Sequence, residues 1–435
     1  MKYFGTMKDN NGMLEIGGVL VSDLARDYKT PLYIIDQTLV EENVQKYLRG
    51  FKSNQFKTSI VYAAKAFLAK GMCQIIDKYG LEIDAVSGGE LYAIKASNFP
   101  MKRVHMHGNN KTVDELGMCI EYGIGLVIVD NQEEAILLNE IAQEKNKKVR
   151  IMLRLNIGID AHTHEYIKTS KDSSKFGESI YDPNIKNIIK TLLHLSGSEF
   201  VGFHCHIGSQ IFDMKAFSEA VETMVDFTKE INKEFNIKIP EINLGGGFGV
   251  YYTEDDTPID LEEISKMVIK KLEETLKSKD LTIEKVSIEP GRSIIANAGS
   301  TLYTIGGHKK TYGGINFIFI DGGMSDNIRP ALYQAKYEAI IANKVKETPT
   351  EEVAVAGKFC ESSDVIINKI MLPKTQRGDL LLTPTTGAYG HAMASNYNKA
   401  PIPAVVFVKD GKSKVAIKRQ SYNDMIQNDD FIDLG

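Results

Sequence analysis

The sequence is poor in cysteine and has no long apolar run. Four cysteines are scattered through its 435 residues without CxxC spacing: Cys73, Cys119, Cys205 and Cys360. We therefore expect reduced thiols of a cytoplasmic protein, and neither a disulfide framework nor a zinc site. The amino terminus lacks the apolar segment of a signal peptide, and no run reaches the ~18 apolar residues that a membrane helix needs. A membrane partner is not expected.

The sequence also lacks a strong excess of either charge. Its 52 basic residues stand against 57 acidic residues, which gives a formal net charge of −5 at pH 7. Nucleic acid is not an expected partner, because it attracts strongly basic surfaces. With 43% hydrophobic and 25% charged residues, the composition is that of a soluble globular protein. The length predicts two or three domains, or one barrel of roughly 250 residues with a smaller second domain.

Short apolar runs alternate with amphipathic segments between about residue 39 and residue 292. Eight of the apolar runs are strand candidates, each followed by polar residues or glycine. They are 59–67, 81–86, 103–108, 125–130, 149–156, 200–206, 241–245 and 285–292. Eight βα units of this length predict an α/β fold with a TIM-type (β/α)8 barrel. The same alternation also fits a doubly wound sheet.

The helical period fades after about residue 296. Four later runs are typical of β-strands interrupted by glycine and proline: 317–321, 352–357, 379–383 and 404–408. Residues 1–36 hold two further strand-like pieces around a short helical one. We therefore predict a barrel domain at 37–295 and a second, mainly β domain at 296–435.

Several polar residues fall at the predicted carboxyl ends of the barrel strands, where the active site of a TIM-type barrel lies. They are Lys65, Asp84, His107, Asn156, His206, Gly245, Gly246, Gly247 and Glu289. Lys65 ends an apolar run, and burial of its ammonium would favour the free amine that an imine-forming lysine needs. The alternative is an ordinary strand-end lysine whose stem packs on apolar surface while its amine reaches solvent.

Two glycine-containing turns predict a phosphate site. The glycine run 245–247 would let backbone N–H groups approach an anion, although an ordinary tight turn has the same composition. The motif Glu-Pro-Gly-Arg at 289–292 offers a small residue and a cation at the next strand end. His206 and Ser209 suit a planar ring with a phosphate tail, whereas His204 is more typical of a core histidine. With the lysine and the carboxylate, these groups indicate pyridoxal 5′-phosphate (PLP).

The chain resembles the alanine racemase-like, fold-type III family of PLP-dependent decarboxylases, and in particular its diaminopimelate branch. The matching stretches span nearly the whole chain: 62–66, 86–90, 161–164, 174–177, 204–210, 245–247, 289–292, 329–333, 360–362 and 387–390. The lysine, the His-x-Gly-Ser motif and the glycine run occur throughout the wider family. The stretches 360–362 and 388–398 are more specific to the diaminopimelate branch. The sequence departs from the family pattern at 156–158 and 420–422, away from the expected catalytic residues.

The resemblance implies PLP-dependent decarboxylation of meso-2,6-diaminopimelate to L-lysine and CO₂, the last step of lysine biosynthesis through diaminopimelate. It also implies that residues 1–36 join the β domain and that two chains form a homodimer with shared active sites. In that arrangement the partner's Cys360 and the partner's Glu361 complete each site, which lies between the barrel and the β domain.

Other functions on the same fold stay open. They are decarboxylation of ornithine, arginine or carboxynorspermidine, amino-acid racemisation, and an inactive relative that binds a partner protein. The joint presence of four residues argues against the inactive relative: Lys65, His206, Glu289 and Cys360.

The resemblance assigns roles to individual residues. Lys65 would hold PLP, His206 would stack on its ring, and Cys360 would protonate the α-carbon. Glu289 would keep the ring nitrogen protonated. The expected cofactor-binding set is Lys65, Asp84, His206, Ser209, Gly246, Gly247, Glu289, Pro290, Gly291, Arg292 and Tyr389. The expected substrate-binding set is Arg292, Arg329, Tyr333, Glu361 and Tyr389.

The substrate-binding set is divided by charge. Arg292 and Arg329, aided by Tyr333, would bind the distal carboxylate of the substrate, and Glu361 would bind its distal ammonium. The alternative is that Arg329 and Glu361 form a structural ion pair with each other. For Cys360 the alternative role is that of a small buried hydrophobe.

Overall fold

A computed structural model describes residues 1–159 and 174–434. The chain divides into two units, which we call the barrel unit and the β unit. The barrel unit comprises Asn43–Gly249 and Thr257–Ser293, and the β unit comprises Met1–Glu42, Val250–Asp256 and Ile294–Gly435. The domain boundaries at residues 37 and 295 stay a prediction. The division into units differs from them in placing residues 37–42, Val250–Asp256 and residues 294–295 in the β unit.

Eight parallel strands form the closed barrel. In chain order they are β1 (Lys57–Tyr62), β2 (Glu82–Ala85), β3 (Val104–Met106), β4 (Leu126–Val129), β5 (Val149–Asn156), β6 (Ser198–Cys205), β7 (Glu241–Asn243) and β8 (Lys285–Ile288). Each strand pairs with the next, and β8 pairs with β1. The predicted TIM-type barrel is confirmed, and the doubly wound alternative is wrong.

The helix Gln37–Gly50 precedes β1, and a helix follows each strand of the barrel. The helices are Gln37–Gly50, Lys70–Lys78, Gly88–Lys95, Val113–Tyr122, Gln132–Glu144, Ile185–Leu193, Met214–Phe235, Leu261–Ser278 and the short Arg292–Ile295. Local sequence sets their ends, as Val113–Tyr122 shows. Thr112 and Glu115 form a reciprocal capping box before it, and Gly123 ends it in the left-handed region at φ 63°. No described helix is both long and apolar enough to cross a membrane.

The β unit is built around one long strand, Gly299–Lys310. That strand pairs with Asn316–Ile320, with Leu380–Pro384 and with the amino-terminal strand Leu32–Asp36. The remaining strands of the unit are Lys8–Asn10, Met13–Ile16, Val19–Leu20, Ile340–Ile341, Glu351–Ala356, Val365–Leu372, Ala404–Lys409 and Lys412–Ile417, and its helices are Val21–Tyr28 and Arg329–Tyr333. The amino-terminal strand Leu32–Asp36 therefore belongs to this sheet, as the resemblance implies, whereas Lys8–Asn10, Met13–Ile16 and Val19–Leu20 form a separate three-stranded sheet.

Candidate active site

Lys65 lies in a single turn of 3₁₀-helix, Ala64–Ala66, just after β1. The strand ends at Tyr62 instead of continuing to Lys65, and the lysine is exposed while Ala64 and Ala66 are buried. The predicted burial of the amine is therefore wrong. An exposed amine beside a buried turn is free to react while the turn fixes its position.

Asp84 holds that turn from the end of β2. Its Oδ1 accepts the Ala64 backbone N–H at 2.7 Å, and the residue is only 3% exposed. Burial, and then the negative charge of Glu289, raise the pKa of Asp84 well above its ordinary value, against the opposing charge of Lys65. Asp84 therefore keeps its proton at a pH at which an ordinary aspartate has lost it.

Glu289 lies just after β8, and its carboxylate is hydrogen-bonded by side chains from three other strands or strand ends. Its Oε1 lies 2.9 Å from His107 Nε2 and accepts from Asn243 Nδ2 at 2.8 Å, and its Oε2 lies 3.0 Å from His204 Nε2. All four residues are buried. Burial alone would raise the pKa of Glu289, but the two histidines hold it well below its ordinary value.

Both histidines of this group are neutral. Burial lowers the pKa of His107 to about 3 and also lowers the pKa of His204. In both rings this effect is larger than the opposite effect of Glu289, which raises the pKa. An ionised carboxylate only accepts, so each ring must donate its Nε2–H. The ligand atoms of the three ionisable side chains lie within 4.8 Å of one another, as in a metal site. Their mutual hydrogen bonds account for that arrangement, and the group carries one negative charge.

His206 follows β6 and presents a neutral, half-buried ring. Burial, and then the positive charge of Lys65, lower its pKa well below the ordinary value. Its Nδ1 lies 3.3 Å from the backbone N–H of Gly246, which donates to it. A ring fixed in this way suits stacking on a planar cofactor. His204, two residues earlier, is buried as expected of a core histidine, but it also binds Glu289.

The glycine run after β7 packs against neighbouring backbone. A Cβ on Gly246 would collide with the carbonyl oxygen of Glu289, and Gly247 has φ +107° with the Gly208 carbonyl directly beside it. A Cβ on Gly291, next to Pro290, would lie 2.7 Å from the Cβ of Ala63, which is also too close. The glycines therefore bring the loops after four adjacent strands together. Their packing accounts for the glycines before any ligand is considered.

Arg292 and Ser209 meet at this edge of the barrel. Ser209 Oγ accepts from Arg292 Nη2 at 3.0 Å and from Nε at 3.2 Å, and Arg292 is buried. A hydroxyl held by a guanidinium is a donor pair that suits a phosphate group. The structure thus brings together the predicted residues of the barrel unit: Lys65, Asp84, His206, Ser209, Gly246, Gly247, Glu289, Pro290, Gly291 and Arg292.

Sequence reasoning missed Arg154 and the role of Asn243. Arg154 lies near the end of β5, with its guanidinium 4.5 Å from the Phe176 ring centre. Burial lowers its pKa, against the opposing charges of Asp130 and Glu289. The available signal was an arginine flanked by leucines near the end of a mainly apolar strand, since a buried cation is stable only beside a negative charge.

Arg329, predicted to bind substrate, is buried in the β unit. Its Nη1 donates to Tyr337 Oη at 2.6 Å, and its guanidinium lies 4.9 Å from the Tyr252 ring centre. Burial alone would lower its pKa, but Tyr252 and Tyr337 hold it above the ordinary value. The aromatic partners of Arg329 are therefore Tyr252 and Tyr337, and the predicted Tyr333 is half-buried at the end of the short helix Arg329–Tyr333.

The other predicted residues of the β unit are more exposed. Cys360 is exposed, so the alternative of a small buried hydrophobe is wrong. Glu361 is also exposed, and its Oε1 accepts from the backbone N–H and hydroxyl of Ser363 at 3.3 Å. Glu361 and Arg329 do not pair within one described chain, and the alternative of a bridge between them stays a prediction. Tyr389 is half-buried at φ 58°. The matching stretch 161–164 lies outside the described residues.

The barrel and the residues at its strand ends are typical of one class, the PLP-dependent enzymes built on a TIM-type barrel. Residues 39–296 match the family described as pyridoxal-dependent decarboxylase, pyridoxal binding domain. The residues present fit this cofactor. Lys65 offers an exposed amine, His206 a flat neutral ring, Glu289 a fixed negative charge and Arg292 a cation.

Full-length relatives narrow the class. The chain is 44% identical to the diaminopimelate decarboxylase of Bacillus subtilis over 426 residues, which are 98% of this chain and 97% of that one. It is similar to the solved diaminopimelate decarboxylase of M. jannaschii in complex with L-lysine (TM-score 0.92, 34% identity, 98% of each chain). It is also similar to the Helicobacter pylori enzyme with L-lysine (TM-score 0.84, 30% identity, 94% of this chain and 98% of that one). The chain belongs to the diaminopimelate decarboxylase family.

The neutral His107 makes stability depend on pH. Its folded-state pKa of about 3 lies below the ordinary 6.5, so between these values the unfolded chain binds a proton that the folded chain does not. Stability therefore falls as pH decreases through this window. From pH 7 to pH 5 His107 should account for a loss of about 2 kcal/mol. His107→Gln keeps a donor at the ε position but cannot be protonated. Between pH 7 and pH 5 its free energy of unfolding should therefore fall by about 2 kcal/mol less than that of the wild type, as measured by urea unfolding of the cofactor-free protein.

The exposed His194→Gln is the matched control for a histidine-to-glutamine change outside the site. Equal loss of stability in wild type and His107→Gln would show that His107 is not held neutral.

Proposed function

We propose that this chain decarboxylates meso-2,6-diaminopimelate to L-lysine and CO₂, the last step of lysine biosynthesis through diaminopimelate. The observation that carries the proposal is a PLP-compatible site on a chain that is 44% identical, over 98% of its length, to a diaminopimelate decarboxylase. Two similar solved structures are described as complexes with L-lysine, the product of this reaction.

Each residue of the barrel site has a separate task in this proposal. PLP, when bound, supplies a positively charged ring that takes up the electron pair left behind by CO₂. Lys65 anchors the cofactor through its exposed amine, and the Asp84 carboxyl fixes the turn that carries the amine. His206 covers one face of the ring, and Ser209 with Arg292 binds the phosphate. The glycines at 246, 247 and 291, with Pro290, shape the backbone around it.

Glu289 and Cys360 control the protonation of two atoms, the ring nitrogen and the α-carbon. The fixed negative charge of Glu289 keeps the ring nitrogen protonated, because an opposite charge favours the charged form of its partner. Cys360 gives the α-carbon its proton after CO₂ has left. Tyr389 completes the groups that bind the phosphate and the substrate.

Substrate choice depends on the far end of diaminopimelate, which carries a second amino-acid group. Arg329 is the strongest candidate for its carboxylate, because the guanidinium is buried and held by a tyrosine hydroxyl and two aromatic rings. Arg292 and Tyr333 assist it, and Glu361 binds the distal ammonium. Ornithine and lysine lack the distal carboxylate, so the buried cation discriminates against them.

We further propose a cytoplasmic homodimer in which the partner's Cys360 and the partner's Glu361 complete each active site. The exposure of Cys360 in one chain is compatible with a role against a second chain. The barrel domain of this enzyme is proposed to span 37–295, with 1–36 and 296–435 forming the β domain.

The reaction itself is tested by product analysis. Purified protein incubated with PLP and meso-diaminopimelate should release CO₂ and L-lysine in equal amounts, and Lys65→Ala should lose nearly all turnover. Lys70→Ala, an exposed lysine at the start of the next helix, is the matched control and should keep wild-type activity. Preference of the wild type for ornithine or lysine would replace the proposal with another decarboxylase of this fold.

Shared active sites are tested by subunit mixing. Lys65→Ala and Cys360→Ala chains are each expected to be inactive, but a mixed dimer contains one site with both residues intact. Mixing should therefore restore up to about a quarter of wild-type activity, since half the dimers are hybrid and each has one intact site of two. Absence of recovery, with subunit exchange verified by mass spectrometry, would exclude a site shared in this way.

The distal pocket is tested at Arg329. Removing one partner of a buried charge-assisted contact costs about 2–5 kcal/mol, so Arg329→Ala should lower kcat/KM for meso-diaminopimelate at least about 30-fold. The visible spectrum of bound PLP should not change. Lys336→Ala, a nearby exposed cation paired with Asp255, should leave kcat/KM unchanged. Wild-type kcat/KM in Arg329→Ala would exclude its proposed role.

A further inference from the structure

The carboxylate of Glu289 is hydrogen-bonded unequally at its two oxygens. His107 and Asn243 both bind Oε1, at 2.9 and 2.8 Å, whereas His204 alone binds Oε2, at 3.0 Å. An ionised carboxylate has about two acceptor positions on each oxygen. Within the described chain, Oε1 is therefore fully used, and one acceptor position is left on Oε2.

The residues that bind Oε1 come from different strands and hold the carboxylate in a fixed orientation. His107 follows β3, Asn243 ends β7, and the Glu289 backbone N–H donates to the Gly245 carbonyl at 2.8 Å. Asn243 also accepts the Gly245 N–H at 2.9 Å, so its side chain cannot turn without breaking that loop. Rotation of the Glu289 side chain would break two buried hydrogen bonds to a charged group, which makes the orientation costly to change.

The charge of the group matters as much as its orientation. A protonated histidine would cancel the charge of Glu289, and the site could then no longer stabilise a positive ring. The histidines are neutral because the barrel interior desolvates them. The donors hence orient the carboxylate without neutralising it.

We propose that His107 and Asn243 are positioning residues for the reaction: by occupying Oε1 of Glu289 they leave Oε2 to bind the ring nitrogen of PLP, and they keep the shared proton on that nitrogen. Hydrogen bonds donated to Oε1 stabilise the carboxylate relative to the carboxylic acid. The proton therefore resides on nitrogen, and the Glu289 oxygen stays negative. No oxidation or reduction is involved, since a single proton is shared between the two atoms.

The proposal predicts a direction for loss of the His107 donor. A hydrogen bond to a charged group is worth about 1.5–3 kcal/mol, so His107→Leu should shift the proton equilibrium from the ring nitrogen toward Glu289 by about 10- to 150-fold. His107→Gln retains an N–H at the ε position and should restore most of the wild-type equilibrium. A general loss of packing would not be repaired by a polar side chain of this kind.

The experiment is ¹⁵N NMR of protein loaded with PLP labelled at the ring nitrogen, without substrate. The wild-type signal should lie at the protonated position, His107→Leu should move it toward the unprotonated position, and His107→Gln should return it. The matched control is His105→Leu, on the strand that immediately precedes His107. His105 is 3% exposed and its Nε2 lies 2.6 Å from Glu82, but it does not contact Glu289. It should leave the signal unchanged.

Three results would overturn the proposal: an unchanged signal in His107→Leu, an equal shift in His105→Leu, or no recovery in His107→Gln. If His107→Leu does not fold, His107→Ala and Asn243→Leu carry the same prediction for the nitrogen signal. One consequence rests on the proposed function: loss of the His107 donor should lower kcat with little change in KM. The nitrogen signal requires no substrate, so it distinguishes failure of this inference from failure of diaminopimelate turnover.

Discussion

The buried negative charge of Glu289 is the constraint on which the rest of the barrel site depends. A carboxylate inside a barrel is stable only if its hydrogen-bonding capacity is met. Here three neutral side chains meet most of it, from the ends of β3, β6 and β7. Because none of the three is charged, the site keeps one negative charge at a defined place. The same charge helps to raise the pKa of Asp84. It also acts on Arg154, where it opposes the lowering of the pKa by burial.

Close packing of the strand-end loops makes this arrangement possible. Gly246 lies against the Glu289 backbone, Gly247 against Gly208, and Gly291 against Ala63, so that each of four loops packs against the loop of a neighbouring strand. The lysine turn is joined to the same assembly by Asp84 and by the Pro290 carbonyl, which accepts the Ala63 N–H at 3.1 Å. A change in any one of these loops is therefore expected to move the reacting amine, the carboxylate or both.

The barrel could be predicted from the sequence because parallel strands buried on both faces are continuous apolar runs. The run at 126–129, for example, is buried at every position. The long strand Gly299–Lys310 was missed because it contains two adjacent glycines and ends in His-Lys-Lys, and Lys412–Ile417 was missed because it is an exposed edge strand. Three site residues could be predicted because they follow predicted strands: Lys65, His206 and Glu289. The roles of His107 and Asn243 depend on contacts between residues that are far apart in the sequence, so no local pattern predicts them. The exposure of Lys65 depends on the turn Ala64–Ala66, which has the same apolar composition as the strand before it and was therefore not predicted.

The central claim is that neutral histidines hold a charged glutamate at the end of the barrel. The most direct measurement is ¹⁵N NMR of protein labelled at its histidines, with His107 and His204 assigned by substitution to glutamine. At pH 7 both rings should be neutral with the proton on Nε2, and His107 should remain neutral at pH 5. An imidazolium signal from either ring at pH 7 would contradict the account, because the group would then carry no net negative charge.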